Sequence, residues 1–397
     1  VKSVGLIAAD HLTIDDPAEA GSFADRLVCV RFARVLCVAL VAAALPVSVV
    51  GQMRAEPAQL LGTPPVSSYR PHLDDRAIDG ETWDYVFWFP SGHRLIVQFQ
   101  ITNAGPGRRT ALLAALVVLP DHTTRLVKNS RPNGEWRSEV SGNDVRLSLV
   151  RHVLNIGPVE HRVHVDSDGV PARFDVVARA IVPAVRLGSV HYSGSDRYDL
   201  LVLAPRVQCT ATLEIDGGPP LTLTGGGGIV LHSDSTLADY DQALSVMRLH
   251  TFDRPLQSSL LSFVPPERGA APMSWLLLMR DNQPPEVVAM PGRAFGDLVK
   301  EREDPGYTSP RRLEIAAAGD DPVAARVSLS LVGRFDIISW INTAIGRFLA
   351  RRFYHPVQYL FDASYELHAG SGASQTSVSG KGFGLLWILN QPKGSGF

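Results

Sequence analysis

The strongest prospect of chemistry in this chain is a histidine and an aspartate two residues apart, His232 and Asp234. They stand in Leu231-His232-Ser233-Asp234, just after the run Gly225 to Gly228, with Asp239, Tyr240 and Asp241 close behind. On an extended strand, residues i and i+2 share a face. A carboxylate at 234 could then orient the imidazole at 232, and a histidine held in this way can give or take a proton near neutral pH. The same residues also read as a polar turn capped by its own Asp side chains. No stronger catalytic pattern competes, for the sequence holds no G-x-S-x-G elbow, no H-E-x-x-H and no C-x-x-C. His161 and His164 are three apart, which on a strand sends them to opposite faces, so no metal pair is expected. Gly225 to Gly228 lacks the Lys-Ser/Thr and the helix start of a phosphate loop, and Ile229-Val230-Leu231 continues it as a strand. No cofactor is expected either.

The elements that must position these groups are strands. From Thr82 to Asn103 the chain reads as a β-hairpin. Trp83, Tyr85, Phe87 and Phe89 alternate along its first arm, and Leu95, Val97, Phe99 and Ile101 along its second. Pro90-Ser91-Gly92 supplies the turn. Ala111 to Leu119 is apolar on both faces, as suits a strand buried on both sides or packed at a domain junction. Further strands are expected at 124–128, 135–140, 145–150, 159–165 and 173–181, with turn residues between them. Turns about every ten residues, with no helix-length stripe among them, are the pattern of an antiparallel barrel or sandwich.

An internal echo points to two related domains. Pro205-Arg206-Val207-Gln208 leads into an alternating strand and then Gly225 to Gly228, while Pro356-Val357-Gln358 leads into another and then Gly380-Lys381-Gly382. A chain of 397 residues has room for both.

The aromatic strand, the short Gly turn and the exit Val97-Gln98-Phe99 to Thr102-Asn103-Ala104-Gly105-Pro106-Gly107 resemble the two-domain, lipocalin-like (calycin) family of carotenoid 1,2-hydratases, AttH-like and survival-factor-like proteins. With the G-x-G steps the resemblance covers about Ser67 to Asn390. It implies an all-β fold of two tandem lipocalin-like antiparallel barrels or sandwiches, at 67–245 and 246–397. It also implies a cavity for an elongated apolar molecule, an isoprenoid or lipid, which Trp83, Tyr85, Phe87 and Phe99 are candidates to line. In the hydratases of this family acidic and His residues are associated with protonating an isolated double bond, which makes His232 and Asp234 the catalytic candidates of an alternative, hydratase- or cyclase-type reading. The hydratases' W-x-Y-F-D opening is here Trp83-Asp84-Tyr85-Val86-Phe87-Trp88, and Met247 and Leu249 stand where their following Trp is usual. An envelope scaffold with filled cores is the third reading.

Composition bounds the partners. Hydrophobic residues make up 45% and the net charge is -2, which leaves no electrostatic footprint for nucleic acid. Residues 28–51 read as a signal peptide, with basic Arg31 and Arg34, an apolar run and Val49-Val50-Gly51 as a cleavage site, giving an exported, periplasmic or envelope protein. An uncleaved membrane anchor is the alternative. Residues 1–27, acidic and starting with Val, read as a non-native extension of that leader, and 52–66 as a linker or strap. Cys29 and Cys37 fall in the leader, so Cys209 has no disulfide partner in a mature chain. Phe335 to Phe353 departs from the β pattern, with Ile337, Ile341, Ala344, Ile345, Phe348 and Leu349 on one stripe and Arg347, Arg351 and Arg352 near its end. It is expected to form a short helix across a barrel mouth, or an interfacial membrane contact. N-terminal sequencing of exported protein is expected to start just after Gly51; a form beginning before Val28 would refute the leader assignment.

Overall fold

A computed structural model describes residues 54–55, 57–72, 80–103, 108–166, 172–192, 195–237, 242–253, 255–266, 272–281, 283–289, 291–300, 307–318, 322–340, 356–370 and 375–389. The leader, the anchor alternative and Asp239, Tyr240 and Asp241 lie outside these residues.

The described chain is almost entirely strand. The first twelve principal strands are β1 (Gly80–Trp88), β2 (Arg94–Thr102), β3 (Thr110–Val118), β4 (Thr124–Arg131), β5 (Trp136–Ser141), β6 (Asp144–Leu149), β7 (His152–Ile156), β8 (Glu160–Val165), β9 (Ala172–Ala180), β10 (Ala184–His191), β11 (Arg197–Ile215) and β12 (Leu221–Ser235). They form one antiparallel sheet in the order β4-β3-β2-β1-β12-β11-β9-β8-β7-β6-β5, with β10 branching from β11. Its ends approach, β3 and β4 meeting β6 and β9, so the sheet is a nearly closed barrel. The second set is β13 (Ser245–Thr251), β14 (Leu256–Val264), β15 (Met273–Arg280), β16 (Glu286–Ala289), β17 (Gly292–Gly296), β18 (Arg312–Ala317), β19 (Val323–Asp336), β20 (Val357–Ala369) and β21 (Thr376–Ile388). Their order, β16-β15-β14-β13-β21-β20-β19-β18-β17, makes a half-barrel.

In the first sheet the expected strands are present, and two more principal strands appear. β7 is short, and β10 is broken by a bulge at Arg186/Gly188, where Gly188 takes φ 105°. The segment expected as a linker or strap contains two short strands, Arg54–Ala55 and Gln59–Gly62, both paired with β10. The helix expected from Phe335 is corrected at its start. Phe335 and Asp336 finish β19, paired with Gln358 and Val357, and Ile337–Trp340 is one 3-10 turn. The β-ladder takes the backbone groups that a helix would need, and Asp336 Oδ1 accepts the Ile338 N–H at 3.0 Å to begin the turn. Residues 341–353 lie outside the described residues.

The sequence echo has a structural cause. β11 and β12 hold the places in the first sheet that β20 and β21 hold in the second, and each final strand returns to pair with the first of its set, β12 with β1 and β21 with β13. There the backbones nearly touch. A Cβ on Gly228 would collide with the carbonyl oxygen of Val86, and one on Gly382 with that of His250.

Three cores result. One fills the first barrel, where Trp83, Tyr85, Phe87, Phe89 and Phe99 are fully buried, and one fills the second around Tyr359, Phe361 and Leu386. The third joins them. Val86, Ile96, Leu116, Val118, Ile229 and Leu231, on the outer face of the first barrel, pack with Leu261, Phe263, Trp275, Leu360 and Phe383 of the second. Ala111 to Leu119 is thus a junction strand. Gly228→Ala and Gly382→Ala are each expected to cost about 2–3 kcal/mol in urea unfolding. Gly80→Ala, whose Cβ would have no neighbour nearer than 3.9 Å, is expected to stay within about 0.5 kcal/mol.

Candidate functional site

Register places all six candidate residues on one face. His232 is paired with Trp83 and Trp83 with Phe99, while Asp234 is opposite Glu81, Val230 opposite Tyr85 and Gly228 opposite Phe87. Paired residues of antiparallel strands point to the same side, here the interior of the first barrel. The result is a polar layer of Glu81 and Asp234 above an aromatic body. Trp83 meets Phe99 edge-on at 6.1 Å, and its indole lies 4.8 Å from the His232 ring. Tyr85 lies 5.9 Å from Phe87 and 6.0 Å from His161, both of them buried. His164 points to the exposed side and contacts Asp175, so the two histidines do face opposite ways.

The carboxylate that confronts His232 is Glu81. Its Oε2 is 3.6 Å from His232 Nε2, and both atoms are buried without another partner among the described residues. Asp234 turns to Arg197, 2.9 Å away. Glu81 Oε1 accepts the backbone N–H of His72 and lies 3.5 Å from His72 Nδ1. Burial pushes the Glu81 carboxyl up, but hydrogen bonds and charge from the two imidazoles outweigh it and leave its pKa lowered. The hydrogen bond to Glu81 raises the His72 pKa against the effect of burial. Burial raises that of Asp234. Glu81 thereby anchors the segment 66–72, whose buried Tyr69 accepts the Trp83 Nε1–H on its carbonyl at 3.1 Å and donates its hydroxyl to Asn143 O.

The second barrel serves as a control within the molecule. Aligned on Gly228 and Gly382, the places of Glu81, Trp83, His232 and Asp234 are taken by Ser245, Met247, Leu386 and Ile388. Acid–base groups at this crossing belong to the first barrel. Among the described residues no group of three or more His, Cys, Asp or Glu could hold a metal.

The open pocket lies elsewhere, between the barrels. Tyr192, Tyr198 and Leu200 line it from the first, Val246, Arg248, Leu261, Ser262, Phe263 and Trp275 from the second, with Gln242 and Ala243 of the connection between them. It is a half-open cleft whose free space amounts to about 30 Å³. Arg248 is its one cation, and Asp84 Oδ2 holds it at 2.8 Å while Gln98 Nε2 donates to Asp84 Oδ1 at 3.0 Å. The guanidinium also lies 5.1 Å from the Trp387 ring. Burial works against its charge, but Asp84 and Tyr198 prevail and its pKa is raised. The sequence signal for this site is a charge set among apolar residues in each of two strands, Asp84 between Trp83 and Tyr85 and Arg248 between Met247 and Leu249.

The electrostatics of Glu81 can be tested by its pH dependence. With its pKa lowered, its contribution is present above the ordinary carboxylate range and lost as pH falls through the depressed value. With the His72 pKa raised, that contribution is present below about 6.5 and lost as pH rises through the raised value. The stability gap between wild type and Glu81→Gln is therefore expected to be widest at about pH 5–6 and to narrow on both sides in urea unfolding at fixed ionic strength. A gap flat across pH would remove Glu81 from its place between the two imidazoles.

No family model matches the chain, and no curated protein matches it. Solved structures do. CghA with Sch210972 superposes with a TM-score of 0.57 at 15% identity, over 80% of this chain and 90% of that one. An AttH-type protein from Nitrosomonas europaea does so with 0.56 at 10% identity, over 83% and 97%. At such identities the likeness speaks for fold, and the fold is that of the two-domain lipocalin-like proteins.

Proposed function

We propose that this protein binds an elongated hydrophobic small molecule, isoprenoid or lipid in kind, in the pocket between its two barrels. The observation that carries this is the pocket's lining: aromatic rings from both domains converge on unfilled space, whereas the aromatic row inside the first barrel is packed against itself. Concave, largely apolar sites with a few fixed polar groups are where small molecules bind, often at domain interfaces. Arg248 and Tyr198 are those polar groups. CghA, of the same fold, is known in a structure with a small molecule, Sch210972. Export through residues 28–51 would bring the protein to the envelope, where molecules of this kind are carried.

A second reading, an enzyme of the hydratase or cyclase class, draws on Glu81 Oε2 and His232 Nε2, buried and facing each other. Adding water to an isolated double bond needs a proton donor held against an apolar face, which Trp83 supplies beside His232. That chemistry would require substrate inside the first barrel.

Solvent extracts of protein from its native envelope are expected to yield a hydrophobic compound by mass spectrometry. Quenching of tryptophan fluorescence by farnesol or retinol is expected to saturate, since Trp275 lines the pocket. Ala243→Phe, which fills the pocket, should weaken that binding by about tenfold or more, ~1.4 kcal/mol. Unchanged affinity in that variant would sink the interdomain assignment; turnover of an isoprenoid abolished by Glu81→Gln would favour the enzyme.

A further inference from the structure

The joint between the barrels holds a titratable group that the pocket beside it does not use. Along β13, Met247 and Leu249 belong to the core of the second barrel, so Arg248 and His250 face outward, toward the first. His250 is fully buried there, and its strand partner Phe383 belongs to the core that joins the domains. Its Nδ1 lies 3.0 Å from Ser259 Oγ, while its Nε2 has no hydrogen-bond partner among the described residues. The ring lies 6.2 Å from Phe383 and 6.5 Å from Phe252, and Phe252 stacks at 5.5 Å on Trp88 of the first barrel.

The charges around His250 leave no anion to receive a second cation. Arg248, two residues back on the same face, is held by Asp84 and Tyr198. Arg94 of the first barrel lies 5.5 Å over the Phe383 ring and pairs with Asp362, which His122 also contacts at 3.0 Å. Asp281 takes Arg206 across the domains at 2.8 Å, and Asp253 accepts the Lys381 N–H and the Tyr365 hydroxyl. Burial, with Arg248 adding to it, lowers the His250 pKa to about 3. Separation of the barrels would bring His250 to water, and each barrel would keep a core of its own.

We propose that His250 makes the union of the two barrels acid-sensitive, its protonation favouring an opened joint in which both barrels stay folded. In the closed joint the imidazole stays neutral, whereas in the opened one it takes up a proton below its ordinary value near 6.5. The closed form is therefore fully favoured above about pH 6.5 and loses about tenfold for each unit below it. Arg248 lines the pocket, so acid would open that pocket along with the joint. The joint would respond in this way whether or not the pocket holds a ligand.

Thiol labelling separates an opened joint from an unfolded barrel. Val118→Cys puts a side chain of similar size in the joining core, and Cys209, buried in the first barrel, reports on that barrel. The reagent is a pyridyl disulfide, which reacts at acid pH, with rates corrected against a free thiol peptide and sites assigned by peptide mass spectrometry. Labelling at position 118 is expected to rise about tenfold per pH unit from about 6.5 to about 5, with Cys209 protected throughout. Adding His250→Asn, which can keep the bond to Ser259 without titrating, should flatten that dependence; should that variant fail to fold, His250→Phe is expected to flatten it too. Labelling that does not respond to acid overturns the proposal, as does an equally steep response with His250 replaced. Labelling of Cys209 in step with position 118 also overturns it, because the first barrel would then be unfolding, with its own buried His161 taking up the proton.

Discussion

In each barrel the final strand lies so close to the first that a carbonyl oxygen occupies the space a Cβ would need, Val86 O at Gly228 and His250 O at Gly382. Everything inside depends on this approach. It sets the register of β12 on β1 and of β21 on β13, and register decides which side chains face inward. Shifted by one residue, the first barrel would turn Trp83, Tyr85 and Phe87 outward and bring Asp84 in. Because one crossing recurs in both halves, the barrels can be compared position by position, which isolates Glu81, His232 and Asp234 as an addition to a shared frame.

The outer faces of the same strands do a second job. Val86 and Leu231 supply the apolar contact between the domains, and Asp84 supplies its charge. The pair with Arg248 is buried, so its attraction is set against the loss of two hydration shells, and such pairs fix geometry more surely than they add stability. Gln98 on the carboxylate and Trp387 beside the guanidinium complete its surroundings. A polar lock amid greasy contact allows few relative orientations of the two barrels. The pocket beside it, with Tyr198 and Arg248 in its wall, therefore has a defined shape.

Much of this fold could be read in the chain because strands advertise themselves with a period of two, and β1 and β2 alternate cleanly from Trp83 to Ile101. The face-sharing of His232 with Asp234 follows from the same rule. The partner of His232 does not, because Glu81 reaches it only through the pairing of β12 with β1, and local spacing carries no record of a contact so distant in sequence. Phe335 and Asp336 misled for a related reason, since an apolar stripe at helical spacing cannot reveal that Gln358 and Val357 stand ready to pair. The interdomain pocket is hidden in the sequence because its signal is a single charge in an apolar strand, Arg248 between Met247 and Leu249. A lone charge in such company is informative only when the strand's neighbours are known.

The strap at 54–62 occupies the far side of β10, whose other side is taken by β11. Where the strap pairs, at Ala184, Val185, Arg186, Val190 and His191, that rim offers no free ladder of amides to the surroundings. Were proteolysis to remove residues before Gly62, β10 would become a bare margin of roughly eight residues able to recruit a strand from a second molecule. The two short strands ahead of the first barrel thus cover part of an edge that would otherwise be open to pairing with another chain.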